Sequence, residues 1–366
     1  MTGNRDIPAA VVDVGWVNGL AAIRSLGRAG VRVLAVDHRP SALGFRSRYA
    51  ERQLCPDPRT DEAQFAEFID GFGDVVVFPT HDEGLNAIGR HLDELSVRAP
   101  FPAWAVLERV QSKRSQLEHA EAAGIAAPRT RYPGSAQDAR AAANELGLPV
   151  LVKPEHPVGF KQRFRRQAFR CDSTQEVEEA YARAEEFAPM VQELVPGDDD
   201  TLYTVGSYLT RDGRALGIFC GRKLRQTPPG IGTCRVGEAV WVEEVVDAAL
   251  RLLRASGYYG LSQVEFKRDT RDGRYKLMEI NPRLWQWHGL AAACGVDLPR
   301  IAYEDLTGES PPGATMDGFG KRWAITFLPG ERPAPQRPPY VDAVFARDDP
   351  KPALVHLARV VRSALP

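Results

Sequence analysis

Hydrophobic residues fall in short runs along the first third of the chain, with helix-like stretches between them. Residues 9–14, 31–37 and 74–79 are mostly apolar, which is typical of strands buried on both faces of a parallel sheet. A helical pattern over residues 20–29 joins the first two runs and ends at Gly30. This strand–helix–strand order predicts a Rossmann-like parallel sheet at the N-terminus.

The turn after the first run bears on whether this sheet binds a dinucleotide. It contains Gly15 and Gly19, and not the G-x-G-x-x-G pattern that brings the backbone close to a pyrophosphate. Asp37 at the end of the second run is an acid of the kind that contacts a dinucleotide ribose. An NAD(P)-dependent oxidoreductase is therefore one alternative, but we favour a Rossmann-like domain that binds no dinucleotide.

Polar residues after these runs are candidates for substrate contacts. His81, Asp82 and Glu83 follow the third run directly, and ligands of open α/β sheets bind beyond the carboxyl ends of strands. One of the two acids could instead cap the helix that follows. Arg46 and Arg48 could bind a substrate carboxylate, although a solvated loop is the favoured explanation for this segment.

A strand pattern near residue 280 carries polar side chains at every second position. These are Glu279, Asn281 and Arg283. Because successive side chains of a strand point to opposite faces, the three share one face. The two apolar residues between them, Met278 and Ile280, are predicted to lie on the other face.

A second strand pattern, over residues 261–267, precedes the first and carries Glu265. The turn signal Asp272-Gly273 stands between the two patterns, and a hairpin that turns there places Glu265 opposite Glu279. Two carboxylates and the amide oxygen of Asn281 would then converge, and such hard oxygen donors suit Mg²⁺. The alternative from spacing alone is an acid that pairs with lysine or arginine on a sheet surface.

Glu265 followed by Glu279-x-Asn281-x-Arg283 resembles the metal-binding signature of the ATP-grasp superfamily. That family couples ATP hydrolysis to the ligation of a carboxylate through an acyl-phosphate. The resemblance implies an α/β fold, in which a Rossmann-like parallel sheet is followed by two α+β lobes that clasp ATP. It implies a Rossmann-like domain over 1–108, a lid lobe over 109–194, a catalytic lobe over 195–328, and a Pro-rich extension with a C-terminal helix over 329–366.

The same resemblance implies roles for residues elsewhere in the chain. Lys113 opens a helix and Lys153 ends an apolar strand, like the two lysines with which the family binds ATP phosphates. Asp200 is implied for the ribose hydroxyls. The adenine hinge corresponds to four consecutive residues, Gln192, Glu193, Leu194 and Val195. Mg²⁺, with Mn²⁺ as the alternative, is implied on Glu265, Glu279 and Asn281.

Two basic segments complete the candidate site. Residues 155–166 stand where the family usually carries a glycine-rich loop over the phosphates, but they contain only Gly159 and several cations that could bind phosphate instead. Further on, Lys223 and Arg225 are predicted to share one strand face by the period of two. With Arg283, they would stabilise the oxyanion of a tetrahedral intermediate. An exposed basic loop is the alternative.

Composition narrows the class of protein. The chain has 366 residues, 43% hydrophobic and 26% charged, with a net charge of −1, so a nucleic-acid-binding surface is not expected. Its five cysteines form no C-x-x-C pair, which indicates reduced thiols and a cytoplasmic location. The short polar N-terminus shows no secretory signal, and no apolar run is long enough to span a membrane.

These observations together predict an ATP-dependent ligase that joins a small-molecule carboxylate to an amine, with amino-acid or peptide-like substrates expected. A non-catalytic nucleotide-binding protein is the main alternative. Within the family, a biotin-dependent carboxylase is less favoured because no carrier domain is visible, and a thiol acceptor remains open. Enzymes of this kind are often homodimers, so a homodimer is one expected assembly.

Overall fold

The computed structural model describes residues 6–155, 157–230, 232–328, 331, 334 and 340–364. The Pro-rich stretch predicted at 329–339 therefore lies largely outside the described residues. In the described part of the chain, no helix has the length and apolar character that a membrane crossing requires.

The three apolar runs of the first third form strands of one parallel sheet, as predicted, and a polar strand that the sequence did not indicate is the fourth. In space the strands follow the order β3-β2-β1-β4. They are β1 (Ala9–Val12), β2 (Val33–Asp37), β3 (Ala50–Leu54) and β4 (Val76–Pro79). The helices of this region are α1 (Val17–Arg28), α2 (Glu62–Asp70), α3 (Asp82–His91), α4 (Trp104–Gln111) and α5 (Lys113–Ala122).

The end of β1 differs from the predicted strand. The strand stops at Val12 because Asp13 has a φ of 64°, a left-handed conformation that aspartate tolerates better than most residues. The carboxylate of Asp37 accepts hydrogen bonds from the backbone N–H and the Nε of Arg39, at 2.8 and 3.0 Å. A Cβ on Gly15 would lie 2.2 Å from the same guanidinium. Arg39 thus lies between Asp37 and the backbone of the turn after β1.

The second sheet is small and antiparallel. Its order is β5-β8-β6-β7, so the adjacent central strands β8 and β6 come from distant parts of the sequence. The strands are β5 (Thr130–Arg131), β6 (Val150–Lys153), β7 (Phe169–Cys171) and β8 (Met190–Glu193). Three helices accompany it, α6 (Ala136–Leu146), α7 (Pro157–Phe164) and α8 (Thr174–Ala184).

The third sheet has eight strands and carries the predicted metal hairpin. Its order is β13-β12-β9-β10-β11-β15-β16, with β14 beside β10. The strands are β9 (Leu202–Leu209), β10 (Ala215–Thr227), β11 (Thr233–Ala239), β12 (Gly260–Arg268), β13 (Tyr275–Asn281), β14 (Ala314–Thr315), β15 (Arg322–Ala324) and β16 (Tyr340–Asp342). The helices are α9 (Glu243–Ala255), α10 (Gly289–Ala293), α11 (Leu298–Leu306) and α12 (Lys351–Ala364).

The hydrophobic core does not follow the sequence order of the sheets. The first and third sheets share one continuous core, which includes Val11, Phe78, Val264 and Trp285. The second sheet has a core of its own, built with α6 and α8. The hydrophobic core of the second sheet is therefore separate from the core that the other two sheets share. The domain bounds given above remain predictions.

A buried ion pair ties the C-terminal segment to the first sheet. The Arg24 guanidinium donates from Nε to the carboxylate of Asp349 at 2.9 Å, and the two side chains are only 6% and 1% exposed. The Ser47 hydroxyl and the Arg48 backbone N–H donate to the same carboxylate, at 2.8 and 2.9 Å. The segment that contains Arg46 and Arg48 thus binds a carboxylate of the chain itself, through Ser47 and the Arg48 backbone.

We expect Asp349→Asn to lower the free energy of unfolding by about 3 kcal/mol, because the buried Arg24 guanidinium loses its carboxylate. Asp348→Asn is a matched control, since the Arg28–Asp348 pair is 48% and 40% exposed and should contribute less than about 1 kcal/mol. Urea denaturation followed by circular dichroism measures both variants. Equal losses in the two variants would contradict the importance of the buried pair.

Candidate active site

A cavity of about 450 Å³ lies where the three sheets meet. Its walls are the loop after β4, the end of β6, and the inner faces of β10, β12 and β13. The charged residues among its lining are Asp82, Glu83, Lys113, Lys153, Lys223, Glu265, Lys267, Glu279 and Arg283. Carboxylate and cationic side chains therefore line the same cavity.

The β12–β13 hairpin places the predicted metal-binding residues together. Glu265 lies directly opposite Glu279, and Gln263 lies opposite Asn281, in an antiparallel register. The amide nitrogen of Asn281 donates to the Glu279 carboxylate and to the Gln263 side chain, both at 3.1 Å. The predicted pairing of the two acids is confirmed, although their role as metal ligands remains a prediction.

A bulge in the same hairpin corrects one prediction. The register shifts between Glu265 and Phe266, so that Phe266 pairs with Leu277 and Met278 has no partner strand residue. Met278 therefore lines the cavity together with the polar residues beside it, and its predicted placement on the opposite face is wrong. Ile280, 4% exposed, lies in the core as predicted.

Lys223 neutralises the first acid. Its Nζ lies 2.9 and 3.1 Å from the two carboxylate oxygens of Glu265, and both residues are buried. Burial raises the pKa of Glu265, the Lys223 charge opposes this, and the nearby charge of Glu279 raises it further. The ion pair is therefore what makes a carboxylate tolerable at this depth.

The two predicted phosphate lysines lie on the other side, beside Glu279. Lys113 begins α5, whose N-cap is the hydroxyl of Ser112, and its Nζ lies 3.5 Å from Glu279 Oε2. Burial raises the pKa of Glu279, but Lys113, Asn281 and Lys223 outweigh it and leave this pKa below its usual range. Burial, aided by repulsion from Lys113, lowers the pKa of Lys153 to about 7. The part of the cavity beside Lys113 and Lys153 is thus suited to binding anionic groups.

Arg283 is held by a residue from the first sheet. Its Nε and Nη2 lie 2.5 and 3.2 Å from the two carboxylate oxygens of Asp82, in the first turn of α3. The sequence indicated Asp82 only as a substrate contact or a helix cap. The two residues are 201 positions apart, so no local pattern could have shown that they form an ion pair.

Arg225 does not share the cavity face with Lys223. The register of β10 against β11 shifts on both sides of Arg225, which turns its side chain away from the position that a period of two predicts. Arg225 is exposed, and its guanidinium lies 3.9 Å from Glu331, whereas Lys223 is buried beside Glu265. The prediction of a common face is therefore wrong, and Arg225 is not brought to the cavity.

The predicted adenine hinge divides into two parts. Leu194 and Val195 line the cavity. The side chain of Gln192 donates to the Thr130 hydroxyl at 2.8 Å, away from the lining. The Glu193 carboxylate, 2.6 Å from Lys276, is buried; burial raises its pKa, but Lys276 and Arg129 together bring it down to about 2. Glu193 thus has a structural partner, and its side chain is not offered to a ligand.

The acidic turn after the hinge also differs from expectation. Asp200, implied for the ribose, is exposed and is not among the residues that line the cavity. Its neighbour Asp199 is turned inward instead, and its carboxylate accepts from the backbone N–H and the side chain of Gln226, at 2.7 and 2.9 Å, and from the Gly230 N–H at 3.1 Å. Asp199 therefore has hydrogen-bond partners within the fold.

Residues 155–166 are largely helical rather than a loop. The helix α7 (Pro157–Phe164) begins with proline, which is favoured at the first helical position. Phe160 packs with Phe164 and Phe169, at ring-centroid distances of 4.8 and 5.3 Å, in the core of the second sheet. This apolar anchor explains the helix. Gln162 and Gln167 line the cavity from this side.

Two indoles close the end of the cavity that lies near the first sheet. Trp285 and Trp287 are 2% and 1% exposed and line the cavity. Glycines on the facing strands make room for them: a Cβ on Gly206 would lie 1.9 Å from Trp285, and one on Gly237 would lie 2.6 Å from Trp287. The two tryptophans are therefore both core residues and part of the cavity wall.

Comparison with known proteins agrees with this geometry. The family model of the carbamoyl-phosphate synthase L chain ATP-binding domain matches residues 239–306, which include the β12–β13 hairpin. The D-aspartate ligase of Enterococcus faecium is 26% identical over 238 residues, which are 61% of this chain and 56% of the ligase. The chain thus spans little more than half the length of that relative.

Solved structures share the fold at low identity. The biotin carboxylase domain of 2-oxoglutarate carboxylase from Hydrogenobacter thermophilus, a dimer in complex with MgADP and bicarbonate, has a TM-score of 0.68 and 18% identity over 82% of this chain and 70% of that chain. The L-amino acid ligase of Bacillus licheniformis has a TM-score of 0.62 and 16% identity over 84% of this chain and 75% of that chain. Together with the family-model match over the hairpin and the sequence relatives, these structures show that the chain has the fold of ATP-grasp proteins and is similar to them in sequence.

Proposed function

We propose that the chain is an ATP-dependent ligase that joins a carboxylate to an amine through an acyl-phosphate and releases ADP and phosphate. The observation that carries the proposal is the pairing of Glu265 with Glu279 in a cavity that also holds Lys113 and Lys153. Opposed acids beside two lysines suit a metal–triphosphate group. Two similar proteins are named as amino acid ligases, which supports amide formation rather than another ATP-grasp reaction.

The donor set fits Mg²⁺, or Mn²⁺ in its place. The described residues contain no group of three or more His, Cys, Asp and Glu side chains that could hold a metal ion. The candidate ligands Glu265, Glu279 and Asn281 supply only oxygen donors, which matches the preference of Mg²⁺ for carboxylates, phosphates and water. Such an ion, when bound, would neutralise charge on the phosphate oxygens.

The nucleotide would lie between the second and third sheets. Apolar residues from both sheets, Leu151, Leu194, Val195, Leu202 and Met278, would enclose the adenine ring. The ammonium groups of Lys113 and Lys153 would hold the phosphates, and the buried Lys153 would be fully charged once a phosphate lies beside it. Positioning and charge neutralisation of this kind account for most of phosphoryl transfer catalysis.

The acceptor chemistry would occur between the phosphates and the first sheet. Once the carboxylate has taken the γ-phosphoryl group, the amine attacks the acyl carbon and phosphate leaves. Arg283, fixed by Asp82, would stabilise the oxyanion of the tetrahedral intermediate, with Lys223 as a second cation nearby. Arg225 is left out of this scheme because it is exposed and outside the cavity lining.

Amino-acid or peptide-like substrates suit the acceptor end. Glu83 lines the cavity there as a second carboxylate, next to the one that Arg283 holds. An acid at this position can bind the ammonium group of an amino acid before it loses its proton and attacks. The indoles of Trp285 and Trp287 would limit the size of the group that fits.

We also infer a cytoplasmic homodimer. All five cysteines are buried and unpaired in the structure, which suits a reducing compartment. The dimeric biotin carboxylase neighbour supports the assembly.

A panel of amino acids, dipeptides and small carboxylic acids, tested singly and in pairs with Mg²⁺ and ATP, examines the proposal directly. At least one pair should stimulate ADP release well above either compound alone, because both substrates are needed to complete the ligation. A coupled ADP assay measures this. Binding of ATP without stimulation by any pair would favour a nucleotide-binding protein that performs no ligation.

Glu279→Gln should reduce turnover by at least about 10²-fold, because it removes a carboxylate ligand of the proposed metal ion that neutralises the phosphates. The fold should survive, since the neutral amide is isosteric and no longer needs Lys113 as a counter-ion. Glu118→Gln, at an exposed position of α5, is the control and should leave turnover unchanged. Full activity of Glu279→Gln, measured as ADP release, would show that the metal assignment is wrong.

Asp82→Asn should lower kcat about 10- to 100-fold while the KM for ATP changes little. The variant weakens the ion pair that positions Arg283 near the acyl carbon. It does not change the part of the cavity that would bind the nucleotide. Asp93→Asn, an exposed acid shortly after α3, serves as the control. A change confined to the KM for ATP would place Arg283 with the nucleotide and would contradict its proposed role at the acceptor.

A further inference from the structure

A lysine that the sequence analysis did not single out lies in the same cavity. Lys267 is on β12, two residues after Glu265, and it is 8% exposed. Its side chain lines the cavity. It was missed because nothing in the local sequence separates it from an ordinary surface lysine at the end of a strand. The one signal that could have indicated its role is its position two residues after Glu265, which places the two side chains on the same face of the strand.

Lys267 differs from the neighbouring lysine in the partners of its ammonium group. Lys276, opposite it on β13, lies 2.6 Å from Glu193 and 3.0 Å from Asp269. Among the residues that the structure describes, the Lys267 ammonium has no ion-pair or hydrogen-bond partner. A ligand in the cavity that supplies an oxygen acceptor can therefore take this place.

The position of Lys267 within the cavity indicates which part of the ligand it meets. On its other side β12 pairs Lys267 with Leu202, itself a lining residue that follows the hinge. The charges that act on Lys267 are Asp199 and Asp198 beyond the hinge and Asp269. By contrast, the charges that act on Lys153 are Lys113 and Glu279. Lys267 therefore belongs to the hinge end, about 7 Å along the strand from the metal acid.

The hinge end lacks the acid that was expected there. Asp200 is exposed and outside the lining, and the Asp199 carboxylate is occupied by Gln226 and Gly230. The lining residues Leu194, Val195 and Leu202 at this end are apolar. Lys267 is consequently the charged group best placed for the sugar that links the base to the phosphates.

We propose that the Lys267 ammonium donates a hydrogen bond to a ribose hydroxyl oxygen of the bound nucleotide. It takes the place of a carboxylate, which would instead accept a hydrogen bond from that hydroxyl. The inference rests on the proposed binding of ATP in this cavity. Lysine supplies donors only, so it reads the hydroxyl oxygen as an acceptor. The chain would thereby discriminate ribonucleotides from nucleotides that lack that hydroxyl.

The test compares ATP with 2′-deoxy-ATP and 3′-deoxy-ATP by isothermal titration calorimetry. The wild-type chain should bind ATP about tenfold or more tightly than the analogue that lacks the contacted hydroxyl, as expected for a hydrogen bond from a charged donor. Lys267→Met should bind ATP more weakly by a similar factor and should bind that analogue with the affinity of the wild type. The difference in affinity between ATP and the analogue is then lost. A merely structural lysine would not change this ratio.

Two further variants sharpen the result. Lys267→Gln keeps a neutral donor and should retain part of the discrimination. Lys351→Met, at an exposed position of α12, should retain all of it. Thermal unfolding without ligand should show no loss of stability in Lys267→Met, because the Lys267 ammonium makes no ion pair within the described part of the chain.

The outcomes separate this assignment from the proposed function. Suppose that the wild-type chain binds ATP and that Lys267→Met lowers the affinity for ATP and for both analogues equally. The ammonium then contacts a phosphate or the base, and the proposed ribose contact is wrong. If Lys267→Met keeps full discrimination, the contact is also wrong. If the wild-type chain binds no ATP, the proposed function fails and this inference fails with it.

Discussion

Two carboxylates that face each other inside a cavity require cations around them, and this requirement organises the protein around the β12–β13 hairpin. Glu265 receives Lys223 from β10, and Glu279 receives Lys113 from the start of α5. The cations come from separate elements of the chain, so the cavity exists only when these elements are assembled. Without those charges, the desolvation of the two acids would oppose burial of the hairpin.

The same logic connects the first sheet to the site. Arg283 is partly buried, and its counter-ion Asp82 begins the helix that follows β4, so the ion pair links the Rossmann-like sheet to the hairpin. The first and third sheets also share one hydrophobic core, whereas the second sheet has its own. This division suits a lobe that can move over a nucleotide while the acceptor side stays rigid, because packed cores resist deformation.

Strand bulges decide which side chains reach the cavity. The period-two rule placed Glu265 and Glu279 correctly, since they lie on the regular part of the hairpin. It failed at Met278 and at Arg225, where an extra residue shifts the alternation by one and exchanges the faces. A one-residue shift is invisible in a pattern of side-chain polarity, because both faces of these strands carry polar residues.

The sequence by itself determined the order of elements, the parallel first sheet, and the opposed acids of the hairpin, because these depend on local periodicity and on a turn between adjacent strands. Only the tertiary structure decided the partners across the fold: Asp82 for Arg283, Asp349 for Arg24, and the inward placement of Lys267 with Asp200 left outside. These contacts join residues far apart in the chain. Their energies come from the desolvation of charges in an interior that exists only after the sheets have packed, so no local pattern can encode them.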